Sequence, residues 1–166
     1  MNVRPARQAD AQAICALHIA SWRDAYRGHL PDAYLAEPVA ADLGALWAKL
    51  PATDLVLVAD NAGVVQGFLA FRMSIDNLSA DGPLLDNLHV APALRGGGIG
   101  EALLRAGMIA VGARGFDRFW LTVLENNHAA RRFYLRLGGI EGPPFREMLK
   151  GNPVTVRKVT WRGLTA

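Results

Sequence analysis

Arg95-Gly96-Gly97-Gly98-Ile99-Gly100 is the stretch on which the fold turns. An apolar, strand-like run, Leu84 to Val90, precedes it, and a helix-period run, Glu101 to Arg114, follows. Strand, glycine-rich loop and helix in that order expose backbone N–H groups at a helix N-terminus. With no side chains in the way, they form an anion site suited to a diphosphate. Spacing excludes two familiar diphosphate loops. A dinucleotide fingerprint needs Gly or Ala in its sixth position, where Glu101 or Leu103 stands. A nucleoside triphosphate loop ends in Gly-Lys-Ser/Thr, and no glycine here precedes a lysine.

Downstream, Phe116 to Leu124 reads as a strand and Asn127 to Leu137 as a helix stopped by Gly138-Gly139. Ile140 to Met148 and Val154 to Trp161 are two closing strands around Lys150-Gly151-Asn152-Pro153. Upstream, Leu55 to Ala59 and Val64 to Met73 flank Asp60-Asn61-Ala62-Gly63, a hairpin signal, and Asp76 to Pro83 reads as a loop. Asn2 to Ala6 is a short strand. Asp10 is the expected cap of a helix reaching about Arg27, with Gly28 as its stop. Within it Ile14, His18, Trp22 and Tyr26 form one line on one face, and Ile14 and Trp22 read as core. A short aromatic segment follows Pro31. A helix over Val39 to Leu50 would turn Leu43, Leu46, Trp47 and Leu50 inward. The inner face of the helix after the loop is expected at Ile99, Leu103, Ala106, Ala110 and Ala113, with Gly115 as its stop. Gly107 and Gly112 weaken that helix by ~1 kcal/mol each, and the sequence offers no reason for them. Without repeat or linker, residues 1–166 read as one mixed α/β domain.

With 51% apolar and 20% charged residues the chain is globular. Its net charge of +3 comes from scattered arginines, without a basic block, so no nucleic-acid partner is expected. The single Cys15, in an apolar helical run, reads as a buried inert thiol, and no metal is expected. Neither a signal-type apolar region nor a run of ~20 uncharged residues is present. A soluble protein of the cytoplasm is the expectation, with no membrane partner.

Arg95-x-x-Gly98-x-Gly100, within LLDNLHVAPALRGGGIGEALL, resembles the cofactor motif of the GNAT superfamily of N-acetyltransferases. Asn127-His128-Ala129-Ala130-Arg131-Arg132-Phe133-Tyr134, followed by Leu137-Gly138, is similar to that family's second signature, N-x-x-A-x-x-F-Y. The N-terminal RPARQADAQAICALHIASWRDAYRGHLPDAYL and the late tryptophan resemble one branch of the family more loosely. Gly139 departs from a common phenylalanine, and no glutamate stands in the strand before the loop. The implied fold is an α/β (mixed α+β) GNAT fold: a central, twisted, mostly antiparallel sheet of about seven strands flanked by about four helices.

The resemblance implies acetyl-CoA as co-substrate and transfer of its acetyl group to a primary amine of a small molecule, peptide or protein. Main-chain groups of Leu88, His89 and Val90 would hold the pantetheine amides, in the manner of an added strand. N–H groups of Gly96, Gly97, Gly98, Ile99 and Gly100 would take the pyrophosphate, with Arg95 adding positive charge. Asn127 and Tyr134 would also touch the cofactor, Asn127 while capping its helix. Val90 N–H would face the developing oxyanion, and Tyr134 would be the general acid for the thiolate. For the base, Asp86 is the first candidate, His89 the second and a water relay the third, while Glu125 and His128 read as solvated. Trp22 and Tyr26, with His29 and Tyr34, are the acceptor-pocket candidates. Asp24, Asp32, Glu37 and Asp42 read as ordinary surface charge. A coenzyme A-binding sensor without catalysis, or an enzyme for a longer acyl group, are the alternatives. A homodimer, common among members of the resembled family, is compatible with the sequence.

Overall fold

The computed structural model describes residues 1–52, 54–73 and 80–165. Its strands are β1 (Asn2–Pro5), β2 (Leu55–Asn61), β3 (Val64–Arg72), β4 (Leu84–Val90), β5 (Arg118–Leu124), β6 (Ile140–Leu149) and β7 (Asn152–Arg162). Its α-helices are α1 (Ala11–Ala25), α2 (Asp32–Ala36), α3 (Pro38–Trp47), α4 (Ile99–Gly112) and α5 (His128–Arg136). The strands form a seven-stranded sheet in the order β1-β2-β3-β4-β5-β7-β6. Pairs β1–β2, β2–β3, β5–β7 and β6–β7 are antiparallel, and β4–β5 is parallel, with Leu84 opposite Trp120. This is the expected α/β architecture, a mostly antiparallel seven-stranded sheet, with five α-helices among the described residues where about four were expected. Part of the expected loop at Asp76 to Pro83, residues 76–79, lies outside the described residues.

The chain divides into two compact units. The first comprises Met1–Phe71 and Asn87–Gly107. Its β2 is buried along Leu55 to Ala59, because both faces are covered. Ile14, Leu17, Val39, Leu43 and Trp47 pack with Val56, Val58, Phe68 and Ala70 on one face. On the other, α4 lies so close that a Cβ on Gly107 would stand 3.0 Å from the side chains of Leu69 and Phe71. Gly107 is therefore a packing requirement that offsets its poor helix propensity. The β2–β3 hairpin turns where expected, with Ala62 and Gly63 at φ 52° and 85° and Asp60 accepting from Gly63 N–H at 2.7 Å.

Three local expectations need correction. Asp10 does not cap α1 through its side chain; it accepts from Arg7 N–H at 2.7 Å and pairs with Arg4 at 2.8 Å, closing a preceding 3-10 turn. Trp47 ends α3, so Leu46 is exposed and Leu50 lies beyond the helix. The buried face of α4 is Ile99, Leu103, Leu104, Gly107 and Val111; Ala113 is exposed. Ile99, Leu103, Leu104 and Val111 carry the bulky apolar surface of α4, and burying them, rather than the small alanines, decides which side turns inward.

The second unit comprises Arg72–Asp86 and Met108–Ala166. Phe119 stacks on Trp161 at 4.5 Å between centroids, and Trp161 Nε1–H donates to Leu137 O at 3.0 Å. That bond ties the end of α5 to β7. At Gly112 a Cβ would meet Leu164 O at 2.8 Å, so this glycine too marks a close approach.

Candidate active site

The glycine loop is built by backbone conformation. Pro92–Leu94 form one 3-10 turn, and Arg95 is extended. Gly96 and Gly98 then take φ of 82° and 81°, where an L side chain is strained. A Cβ at either position would point into open space, so the requirement is conformational, not steric crowding. Gly98 O accepts the first helical bond, from Ala102 N–H at 3.0 Å. Among the described residues, the N–H groups of Gly96, Gly98, Ile99 and Gly100 meet no protein acceptor. Four unpaired donors at a helix N-terminus are the electrostatic signature of an anion cradle. Arg95 pairs with Asp24 of α1, so that carboxylate is more than surface charge: it fixes the guanidinium beside the loop.

Along β4, alternation places Leu85, Asn87 and His89 on one face and Asp86, Leu88 and Val90 on the other. Asp86 is exposed and bound to Arg72 Nε at 2.9 Å. The His89 ring lies 4.7 Å from that of His18 and 5.4 Å from that of Phe68. His18 is almost wholly buried, and its Nδ1 accepts from Trp47 Nε1–H at 2.9 Å. That bond places the imidazole proton on Nε2. Burial pushes His18 down to about 4 and His89 down to about 3, the latter helped by His18 and Arg95. Both imidazoles are therefore neutral at pH 7.

Two buried polar atoms in this unit, His18 Nε2 and Ser21 Oγ, have no hydrogen-bond partner among the described residues. A buried orphan polar atom costs about 1–3 kcal/mol. His18 and Ser21 are one turn apart on α1, on one face. The Trp22 ring packs 5.8 Å from His18 and 4.7 Å from Tyr26, both tryptophan and tyrosine being partly buried. Tyr34 donates to Asp42 at 2.6 Å, and His29 is partly buried. The helical line Ile14–His18–Trp22 signalled a buried face, but neither the orphaned Ser21 nor the meeting of His18 with His89 has a sequence signal.

In the second unit Asn127 caps α5, its Oδ1 accepting from Ala130 N–H at 3.1 Å. The cap uses only the oxygen, which leaves the Nδ2 amide as a donor. Tyr134, partly buried, sets its ring edge-on to Trp161 at 5.8 Å. Glu125 is not simply solvated: it binds Arg157, which holds its carboxyl below the usual range, and Arg131 lies 3.7 Å away. His128 is exposed. Among the described residues no group of three or more His, Cys, Asp or Glu could hold a metal. Among the described residues no helix is long and apolar enough to cross a membrane.

Residues 14–139 match the model of the acetyltransferase (GNAT) family. The chain belongs to that family. Over 83 residues this GNAT chain is 39% identical to mycothiol acetyltransferase of Thermobispora bispora. The match covers 49% of this chain but only 28% of that protein, so the chain spans under a third of its relative's length. A GCN5-related N-acetyltransferase from Rhodopseudomonas palustris superposes with a TM-score of 0.76 at 24% identity, covering 97% of this chain and 94% of that one. PaiA N-acetyltransferase from Thermoplasma acidophilum, solved with coenzyme A, gives 0.70 at 18% identity, with 94% and 96% covered. These likenesses are likenesses of fold.

Proposed function

We propose that this GNAT chain is an N-acetyltransferase that moves the acetyl group of acetyl-CoA to a primary amine of a small molecule, peptide or protein. The observation that carries the reading is the Gly96–Gly100 cradle, four unpaired N–H groups between two left-handed glycines and a helix start, in a member of an acetyltransferase family. A diphosphate fits that donor set in charge and number. Bound acetyl-CoA would supply an acyl thioester.

The chain's own groups divide the remaining work. Gly96, Gly98, Ile99, Gly100 and Arg95 bind the diphosphate, the expected Gly97 N–H being already held by Leu94 O at 3.4 Å, and the main chain of Leu88, His89 and Val90 binds the amides of the arm. Val90 N–H donates to the acyl oxygen, where a donor is worth most as negative charge grows. Asn127 Nδ2 contributes a contact, and the Tyr134 hydroxyl donates a proton to the leaving sulfur. Asp86 would receive the amine proton only by exchanging Arg72 for it. Trp22 and Tyr26 line the acceptor side.

Acetyl-CoA at 100 times its dissociation constant should stabilise the protein by about 2.7 kcal/mol in a thermal melt. Gly98→Val, which strains the loop at φ 81°, should lose most of that shift and on its own melt several degrees below wild type, the left-handed penalty being about 1–2 kcal/mol. An unchanged melting temperature at saturating acetyl-CoA sinks the reading.

A further inference from the structure

Glu125, Arg131, Glu141 and Arg157 enclose the connection between β5 and α5 in the second unit, all partly buried, and no step of the proposed transfer uses them. Arg131 of α5 grips Glu141 of β6, its Nε 2.7 Å from Oε1 and its Nη2 3.2 Å from Oε2. Its remaining nitrogen, Nη1, donates to Glu125 O at 2.6 Å. Arg157 of β7 repeats the pattern, gripping the Glu125 carboxylate while its Nη1 donates to Gly142 O at 3.1 Å. That carbonyl is free of the ladder because β6 bulges between Glu141 and Pro144.

Stability alone does not account for this arrangement. Partly buried ion pairs lose in desolvation much of what they gain in attraction. Arg131 also ends the first turn of α5, where a cation opposes the helix dipole and the helix has no acid of its own. What the bonds fix is main chain. Glu125 N–H donates to Thr155 O at 2.9 Å, Asn127 N–H to Leu124 O at 3.0 Å, and Arg131 N–H to Asn127 O at 3.0 Å. With Arg131 Nη1 on Glu125 O, the segment from Glu125 to Asn127 is held by β7 on one side and α5 on the other. The Asn127 side chain is then pinned by its cap bond to Ala130 N–H, so its Nδ2 amide inherits its place from the connection.

We propose that Arg131 is a positioning residue for the cofactor site: anchored on Glu141, it holds the Glu125–Asn127 connection and thereby aims the Asn127 amide at acetyl-CoA. The inference rests on the proposed function, which gives Asn127 Nδ2 its contact with the cofactor. Arg131 acts through Asn127 and has no step of its own. The work calls for a guanidinium because it is double, two parallel bonds to a carboxylate and a third to a carbonyl on another side of the same plane. A lysine ammonium pairs with Glu141 as a point charge but has no planar fork to hold both groups at fixed angles. Tyr134, further along α5, is set by its own ring contacts with Trp161 and Phe133. Loosening the connection therefore weakens cofactor binding and spares the tyrosine.

The test is a double-mutant cycle read as the dissociation constant of acetyl-CoA, titrated by calorimetry well below every melting temperature. Asn127→Ser keeps a capping oxygen but has no amide to donate, and should weaken binding about tenfold. Arg131→Lys should weaken it about fivefold while melting within a few degrees of wild type. Combined, the two should bind no worse than Asn127→Ser alone, because the lysine variant has lost only the aim of a group already gone. An arginine that merely stabilises the fold would instead multiply the losses, to about 50-fold. Should the lysine variant not fold, Glu141→Gln takes its place in the cycle. It keeps an oxygen for Arg131 Nε without the charge, and its expected loss of about threefold should likewise vanish beside Asn127→Ser. Multiplied losses, or wild-type affinity in Asn127→Ser or in the folded partner variant, overturn the inference while leaving the acetyltransferase reading intact. A wild-type protein that takes up no acetyl-CoA would instead overturn that reading itself.

Discussion

Lowering the pH from about 6.5 to 4.5 is expected to cost this protein stability steeply, because the first unit holds two neutral imidazoles, His18 buried and His89 half-buried. In the unfolded chain a histidine takes up its proton near 6.5, whereas folded His18 and His89 hold out to about 4 and about 3. The unfolded state thus binds more protons throughout the interval, and stability falls as pH falls. It is complete above about 6.5 and fully lost only below the folded values. The full difference is about 3 kcal/mol for His18 and more for His89. Protonation would also place a hydrogen on His18 Nδ1, where Trp47 now donates. The lowered carboxyls of Asp10, Asp60, Asp81, Asp117 and Glu125 resist acid too, but their unfolded counterparts titrate at 3.8 or 4.5, below most of this window. Urea unfolding at pH 7 and 5 should show the loss, and His18→Asn should show a clearly smaller one. Identical pH dependence in the two proteins would remove His18 from the explanation.

Tyr134→Phe is expected to lower kcat by about 100-fold or more, the usual worth of a positioned general acid, while acetyl-CoA affinity changes little. The substitution keeps the ring, and with it the edge-on contact to Trp161 and the contact to Phe133 at 5.2 Å. Stability should therefore move by no more than about 1 kcal/mol, the net worth of one hydrogen bond. The separation of the two effects is the informative part. Normal turnover in Tyr134→Phe would assign the leaving-group proton to another donor, and a collapse in melting temperature would make the tyrosine structural.

What was legible in the sequence is what short range decides. The hairpin at Asp60–Gly63, the Asn127 cap and the Gly96–Gly100 loop each need a particular residue type at a particular φ or cap position, and each stands where the residues put it. Strand β4 begins and ends at Leu84 and Val90, as its apolar run indicates. Features fixed by distant partners were not legible. Gly107 is glycine because Leu69 and Phe71 press on it, and no pattern within α4 announces that. Asp24 reads as surface charge until Arg95, 71 residues on, is brought to it. His18 and Ser21 belong to an ordinary apolar helix face until β4 delivers His89. Their lack of partners is a property of the folded neighbourhood alone.

The most direct measurement is amine-dependent thiol release from acetyl-CoA, with the product weighed by mass spectrometry. Thiol is expected to appear only when protein, acetyl-CoA and an acceptor amine are all present, in step with amine that has gained one acetyl group. A protein that binds acetyl-CoA yet releases no thiol across peptide, small alkyl and aromatic amines would contradict it and leave a coenzyme A-binding module.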